Sequence, residues 1–372
     1  MPRENMDLHR SQRNGEGLKK QQWIAGLVVL AALAALIVWG RERIHFNFAV
    51  FRAQVARADW RLIAIAVGCI YVGYAFRSIR WAFLLRHNKN VPPLSLLGTQ
   101  VMGFTAVALI GRVADPVRPY LVARKTGLPL SNQIAVYIVE RLFDFGALAL
   151  IISSVILLAP PGSLPHPEIV RKAGYGGLAI TVLAALFLLT VRLSGNMVAA
   201  IFERLFGLFS KNLGHSAGSK IRAFHAGLDT MRSFADFAIA AVLSLGMWLL
   251  ITLAYLETMR AFTASPVLAS IDLPKCILLL AVSGGASVFQ LPVLGWFSQI
   301  AFVAAAFTSF FSVSPEAATA CAATLLLVTF LSIVPIGLVW AQLEHVNLRK
   351  VTAESGHAEE ELAIEEAEGP VT

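Results

Sequence analysis

An all-α integral membrane protein is the fold class this sequence predicts, with about six transmembrane helices and two broken or re-entrant helical hairpins. Three observations predict it. Hydrophobic residues make up 57% of the 372 and charged residues 15%, with a mean hydropathy of +0.68, against roughly 45–50% and about 25% in soluble domains. The apolar residues gather into runs long enough to cross a hydrocarbon core of ~30 Å as helices. Glycine and proline interrupt two of these runs, and backbone groups freed inside a membrane persist only when buried in protein or lining a wet cavity.

Residues 1–22 form a polar tail with Arg3, Arg10, Arg13, Lys19 and Lys20. The apolar run 23–40 has no small-residue cleavage site before Arg41, so it reads as a retained first helix rather than a signal peptide. Residues 46–60 suit an amphipathic helix lying along the interface. Further spans are expected at 60–85, 134–158, 174–191, 236–256 and 318–341, with Pro160, Pro161, Gly162, Pro165 and Pro167 turning the chain between the third and fourth.

The two broken runs are 94–111, flanked by Pro92, Pro93, Pro116 and Pro119, and 276–311, interrupted at Ser283, Gly284, Gly285, Gln290, Pro292 and Gly295. Opposed broken segments in the two halves of a chain are the pattern of a midplane site between inverted repeats. No clear sequence repeat accompanies them. The membrane domain is taken as 23–349, and the Glu-rich stretch 350–372 as a disordered acidic tail.

With the N-terminus in the cytoplasm, Lys and Arg are about twice as frequent in the loops left inside as in those outside, which favours that orientation and a cytoplasmic C-terminus. Arg41, Arg43, Arg52, Arg57 and Arg61 then fall outside, against the trend. A bacterial inner membrane is the expected location. The formal charge of +8 is spread over loops with no basic helix, so membrane lipids are the expected partners and nucleic acid is not. A homo-oligomer is left open. Cys69, Cys276 and Cys321 lie in apolar runs without metal or redox spacing, and no nucleophile, phosphate-loop or metalloprotease motif occurs. No cofactor, metal or catalytic residue is expected.

The densest functional candidates are Arg112, Asp115, Arg118 and Arg124, followed by Glu140, Arg141 and Asp144. Glu140 falls roughly nine residues, or about 13 Å, inside its span. An ionised group there costs at least about 2.5–3.5 kcal/mol, so these three charges must face protein or water. Glu140 and Asp144 share a helix face and Arg141 reaches Asp144, leaving one carboxylate for Arg112, Arg118 or Arg124. An ion-pair network pinning the first hairpin to this helix and a direct substrate or proton role both fit. Guanidiniums at 112 and 118 also suit an anionic head group. Arg77 and Arg80, beside Trp81, read as snorkelling side chains at a span end. In the second broken run, Gln290, Pro292, Gly295 and Gln299 are the polar or conformationally special residues, where half-helix ends can hold an ion or head group.

The segments from Gly111-Arg112 to Arg118-Pro119-Tyr120-Leu121, Gly127 to Ser131, Glu140-Arg141-Leu142-Phe143-Asp144, and Gln290-Leu291-Pro292 with Gly295 and Gln299 resemble the flippase-like membrane domain of bacterial lysylphosphatidylglycerol synthases. The resemblance runs over about 62–340. It implies a multi-pass domain with re-entrant elements that moves lipids between leaflets, without the soluble aminoacyl-transferring domain. Ala114 departs from the glycine usual before the acidic residue, and Trp296-Phe297 from the glycines usual after Gly295. A non-transporting accessory subunit for lipid- or glycan-modifying enzymes is the second reading, and a transferase acting on a lipid-linked substrate the third. On the leading reading, Arg112 and Arg118 receive an anionic head group, and alanine at Arg118 or Glu140 abolishes activity without affecting insertion.

Overall fold

The structure, a computed structural model, describes residues 46–228, 233–286 and 294–368. The basic segment 1–22, the expected first span 23–40, and Gln290 and Pro292 lie outside the described residues. Among the described residues the secondary structure is helical throughout, and six helices are long and apolar enough to cross a membrane: Trp60–Leu85, Pro93–Ile110, Leu130–Leu158, Pro167–Gly207, Phe234–Arg260 and Pro315–Leu343. Five contain the spans expected at 60–85, 134–158, 174–191, 236–256 and 318–341. The remaining one, Pro93–Ile110, coincides with the first broken run.

After a short helix α1 (Phe48–Ala56), α2 (Trp60–Leu85) starts at Asp59, whose carboxylate accepts the Arg61 N–H at 2.9 Å. The Asp59 N–H donates to the Ala261 carbonyl at 2.8 Å, tying the start of α2 to the end of its long antiparallel neighbour, the helix Phe234–Arg260. A 3-10 turn (Pro93–Leu96) leads into α3 (Leu97–Ile110). Gly111, at φ 93°, ends α3 where a side chain would be strained. A second 3-10 turn (Arg112–Ala114) then leads into α4 (Val117–Thr126), closed by Gly127 at φ 68° as a left-handed cap.

Helix α4 folds back on α3 so closely that a Cβ on Gly103 would overlap the Arg118 side chain. The two ends of this hairpin meet where Lys89 Nζ donates to the Thr126 carbonyl at 2.6 Å. The span Pro93–Ile110 is 61% buried, against 28–33% for most of the others. Protein rather than lipid therefore encloses it, as a broken segment requires. Its other side meets α13 (Ile333–Leu343), where Gly98 lies under the Trp340 indole and Gly337 against Thr105, the close small-residue packing that joins helices in lipid.

Next come α5 (Leu130–Leu158) and α6 (Pro167–Gly207), a 41-residue helix bent at Ser194. The expected span 174–191 is its first part. Beyond the bend, α7 (Lys211–Leu228) folds back along α6, joined by Glu203 to Arg222 at 3.0 Å. The polar stretch 192–233 is thus largely a helical hairpin of its own. A capping box between Ser233 and Asp236 opens α8 (Phe234–Arg260). After the one-turn α9 (Pro266–Ala269), the second broken run forms α10 (Leu273–Ala286) and α11 (Leu294–Phe311), packed on each other. The last span joins α12 (Pro315–Leu326) to α13 through a π-helical turn, Leu327–Leu331.

As far as it is described, the acidic C-terminal stretch is helical, with Leu348–Glu368 forming α14. Leu348, Val351 and Ser355 recur at helical spacing and are buried, and Tyr120 donates its hydroxyl to Glu354 at 3.0 Å. That stripe is short but sufficient to dock the first turns on α4. Val351→Asp places a carboxylate where Val351 is 2% exposed, at a cost of about 1–3 kcal/mol. Hydrogen exchange over 348–358 is expected to rise about ten- to a hundredfold, with the spans' protection unchanged.

Candidate functional site

Six charged side chains from three helices converge beside α3. From α2 come Arg77 and Arg80, one turn apart; from α5 come Glu140, Arg141 and Asp144; and from α4 comes Arg118. Arg80 bridges both carboxylates, at 2.7 Å to Glu140 and 2.6 Å to Asp144, and also donates to the Ser244 hydroxyl on α8. Arg118 reaches both Glu140 oxygens at 2.9 Å and donates to Gln100 Oε1 on α3 at 2.8 Å. Arg141 lies 3.2 Å from Glu140 and 3.1 Å from Asp144. Arg77 makes the longest pairs, 3.3 Å to Glu140 and 3.4 Å to Asp144.

Aromatic faces and amides complete the shell. The Arg118 and Arg77 guanidiniums lie 4.3 and 4.7 Å from the centre of the Phe104 ring, an added attraction for a desolvated cation. Trp81 donates its indole N–H to Gln133 at 3.0 Å. The side chains of Arg80, Arg118 and Glu140 are each 1% exposed.

Four guanidiniums within ion-pair distance of two carboxylates leave two positive charges in excess. The hydrogen-bond inventory points the same way, since Arg80 Nε, Arg118 Nη1 and Arg141 Nε have no acceptor. A buried ion pair is held only when its geometry and remaining hydrogen bonds repay desolvation. Glu140 meets that condition; the arginines as a group exceed their acceptors.

Beside the network lies a cavity of about 170 Å³, several times the ~30 Å³ share of a water molecule. It is lined from α2, α3, α5, α8, α10, α11, α13 and the π-helical turn. Arg77 is the network residue on its wall. Phe104 brings the first broken run to it, and Ser283 and Gln299 bring the second. Tyr255 and Ser283 share a hydrogen bond at 2.7 Å, and Gln299 Nε2 donates to Ser283 at 3.1 Å. Gln299 Oε1 and the Trp248 indole nitrogen remain without partners. π-Helical turns interrupt helices at functional sites more often than elsewhere, and here Thr329 and Phe330 of that turn face the same space.

The placement of the sequence-predicted residues is selective. Arg118, Glu140, Arg141 and Asp144 meet in the network, and Arg77 and Arg80, expected to snorkel, are its centre instead. Their i,i+3 spacing matches the i,i+4 carboxylates of α5, which was the signal available. Arg112, whose side chain is 46% exposed, sits 3.9 Å from Asp115, outside the network, and Arg124 is exposed near the end of α4. Arg118 is enclosed, so neither it nor Arg112 faces the cavity. Gly295 is buried at the start of α11. Ser283 was marked only as part of the break in the second run, and Gln100, Gln133, Ser244, Trp248 and Tyr255 were missed, single polar or aromatic residues inside apolar runs.

A UPF0104 membrane protein of Methanothermobacter thermautotrophicus is 26% identical over 260 residues, covering 65% of this chain and 71% of that protein. No solved structure matches the chain. Residues 23–337 match the family described as the lysylphosphatidylglycerol synthase TM region. This chain, a multi-pass membrane protein, therefore belongs to the lysylphosphatidylglycerol synthase TM family.

Proposed function

We propose that this protein carries an amphiphile, a phospholipid or lipid-linked head group, between the leaflets of its membrane. The observation that carries the reading is the polar-edged cavity where both broken runs meet beside a cation-rich buried network. A head group crossing hydrocarbon needs a protein-lined place to exchange its hydration for fixed donors and acceptors. Arg77 supplies the cation, and Ser283, Tyr255 and Gln299 supply neutral hydrogen-bonding groups on the same wall. The acidic pair on α5 holds Arg77 and Arg80 in place rather than receiving substrate. In this reading each broken run dips into the bilayer and returns, and the cavity lies near the midplane. A docking subunit without transport would need no such cavity.

Leaflet exchange of fluorescent phospholipids in proteoliposomes tests the proposal. Wild-type protein is expected to exchange at least one of an anionic, a zwitterionic and a cationic probe faster than protein-free vesicles. Arg77→Gln removes a charged hydrogen-bond donor worth about 1.5–3 kcal/mol, so exchange should fall about tenfold or more. Folded wild-type protein that moves none of the three probes would sink the proposal.

A further inference from the structure

We infer that the cavity is selective for a head group that carries a negative charge and neutral hydroxyls, and that it excludes aminoacylated, cationic head groups. The inference rests on the reading that this cavity receives head groups, and adds to it the sign of the charge received. Among its described lining residues, Arg77 is the ionisable group that carries charge at neutral pH, and Asp and Glu are absent. With Arg77 counted, the network carries two uncompensated positive charges, and both of its carboxylates are already shared among four guanidiniums.

A phosphodiester at Arg77 would neutralise part of that excess and accept hydrogen bonds from a guanidinium held by long contacts of 3.3 and 3.4 Å. The far wall suits hydroxyls. Gln299, Trp248, Tyr255 and Ser283 line it as neutral polar side chains, with the Tyr255 and Ser283 hydroxyls bonded to each other and Gln299 Nε2 donating to Ser283. An aminoacyl group adds an ammonium that finds no carboxylate here and stands close to Arg77. At about 6 Å and an effective dielectric of ~20, that repulsion alone disfavours binding about a hundredfold.

The test is binding, read apart from transport. Purified protein in an uncharged detergent is titrated with phosphatidylglycerol, phosphatidylethanolamine or lysylphosphatidylglycerol, following thermal stabilisation and bound lipid by native mass spectrometry. Phosphatidylglycerol is expected to bind about a hundredfold more tightly than lysylphosphatidylglycerol. Arg77→Gln should erase most of that preference. Gln299→Glu, which sets a carboxylate on the wall within the same side-chain volume, should raise affinity for the lysyl lipid about tenfold. Equal binding of the lysyl lipid and phosphatidylglycerol by wild-type protein overturns the inference while leaving transport standing. Binding of none of the three overturns it together with the head-group reading of the cavity.

Discussion

Glu140→Ala is expected to cost about 3–5 kcal/mol of stability, the loss seen when one partner of a buried ion pair is removed. The side chain it deletes accepts from Arg77, Arg80, Arg118 and Arg141. Without it, Arg118 keeps only the neutral Gln100 oxygen, and the other three guanidiniums share the single carboxylate of Asp144. Folding stabilities are commonly about 5–15 kcal/mol, so this one change consumes a large part of the margin. Insertion depends on the apolar spans and should persist, but the purified variant should unfold several degrees earlier than wild type.

Loss of activity with insertion retained remains the expectation for Glu140→Ala, and the network adds a loss of stability to it. Glu140→Gln should be milder, because an amide oxygen still accepts. Combining it with Arg118→Gln removes one charge of each sign and should show a coupling of about 1 kcal/mol or more in a double-mutant cycle. Thermal unfolding in detergent reads all four variants, Glu140→Ala, the two Gln single substitutions and their double. A Glu140→Ala protein as stable as wild type would mean that the network contributes nothing to the fold.

Much of the architecture follows from patterns visible along the chain. Apolar runs bounded by charge placed five of the six described spans, and the proline and glycine around 94–111 marked the segment where α4 folds back on α3. The depth of Glu140 and Asp144 in an apolar helix required that they face protein. Which arginines they face was not legible, because a guanidinium near a span end looks the same whether it snorkels to water or turns inward. Only the packing of α2 against α5 and α8 decides that Arg77 and Arg80 turn inward and that Arg112 and Arg124 stay outside.

The cavity was less accessible still. Its wall joins a stripe of α2, from Ile70 to Arg77, and a stripe of α8, from Met247 to Tyr255, to Ser283 and Gln299 of the second broken run, and no spacing along the chain tells which of these stripes face one another. The same limit applies to the π-helical turn, which depends on a backbone adjustment within a uniformly apolar run. The docking of the first turns of the acidic C-terminal stretch was hard to read for a different reason. Its many glutamates outweighed a buried stripe of Leu348, Val351 and Ser355, although helical periodicity made that stripe readable.

Filling the cavity tests, without altering a charge, whether head groups pass through it. Gly73 lies on the cavity wall, and a Cβ added there would meet Met247 Cγ at 4.0 Å, an ordinary contact. Gly73→Ala should therefore fold and keep most of its exchange. Gly73→Phe places a phenyl ring in a space of about 170 Å³, occupying the room a head group needs. The measurement is leaflet exchange of the best wild-type phospholipid probe in proteoliposomes, with thermal unfolding recorded on the same preparations. The predicted result is exchange at the level of protein-free vesicles for Gly73→Phe, near wild-type exchange for Gly73→Ala, and cooperative unfolding for both. Wild-type exchange by a folded Gly73→Phe protein would contradict the account.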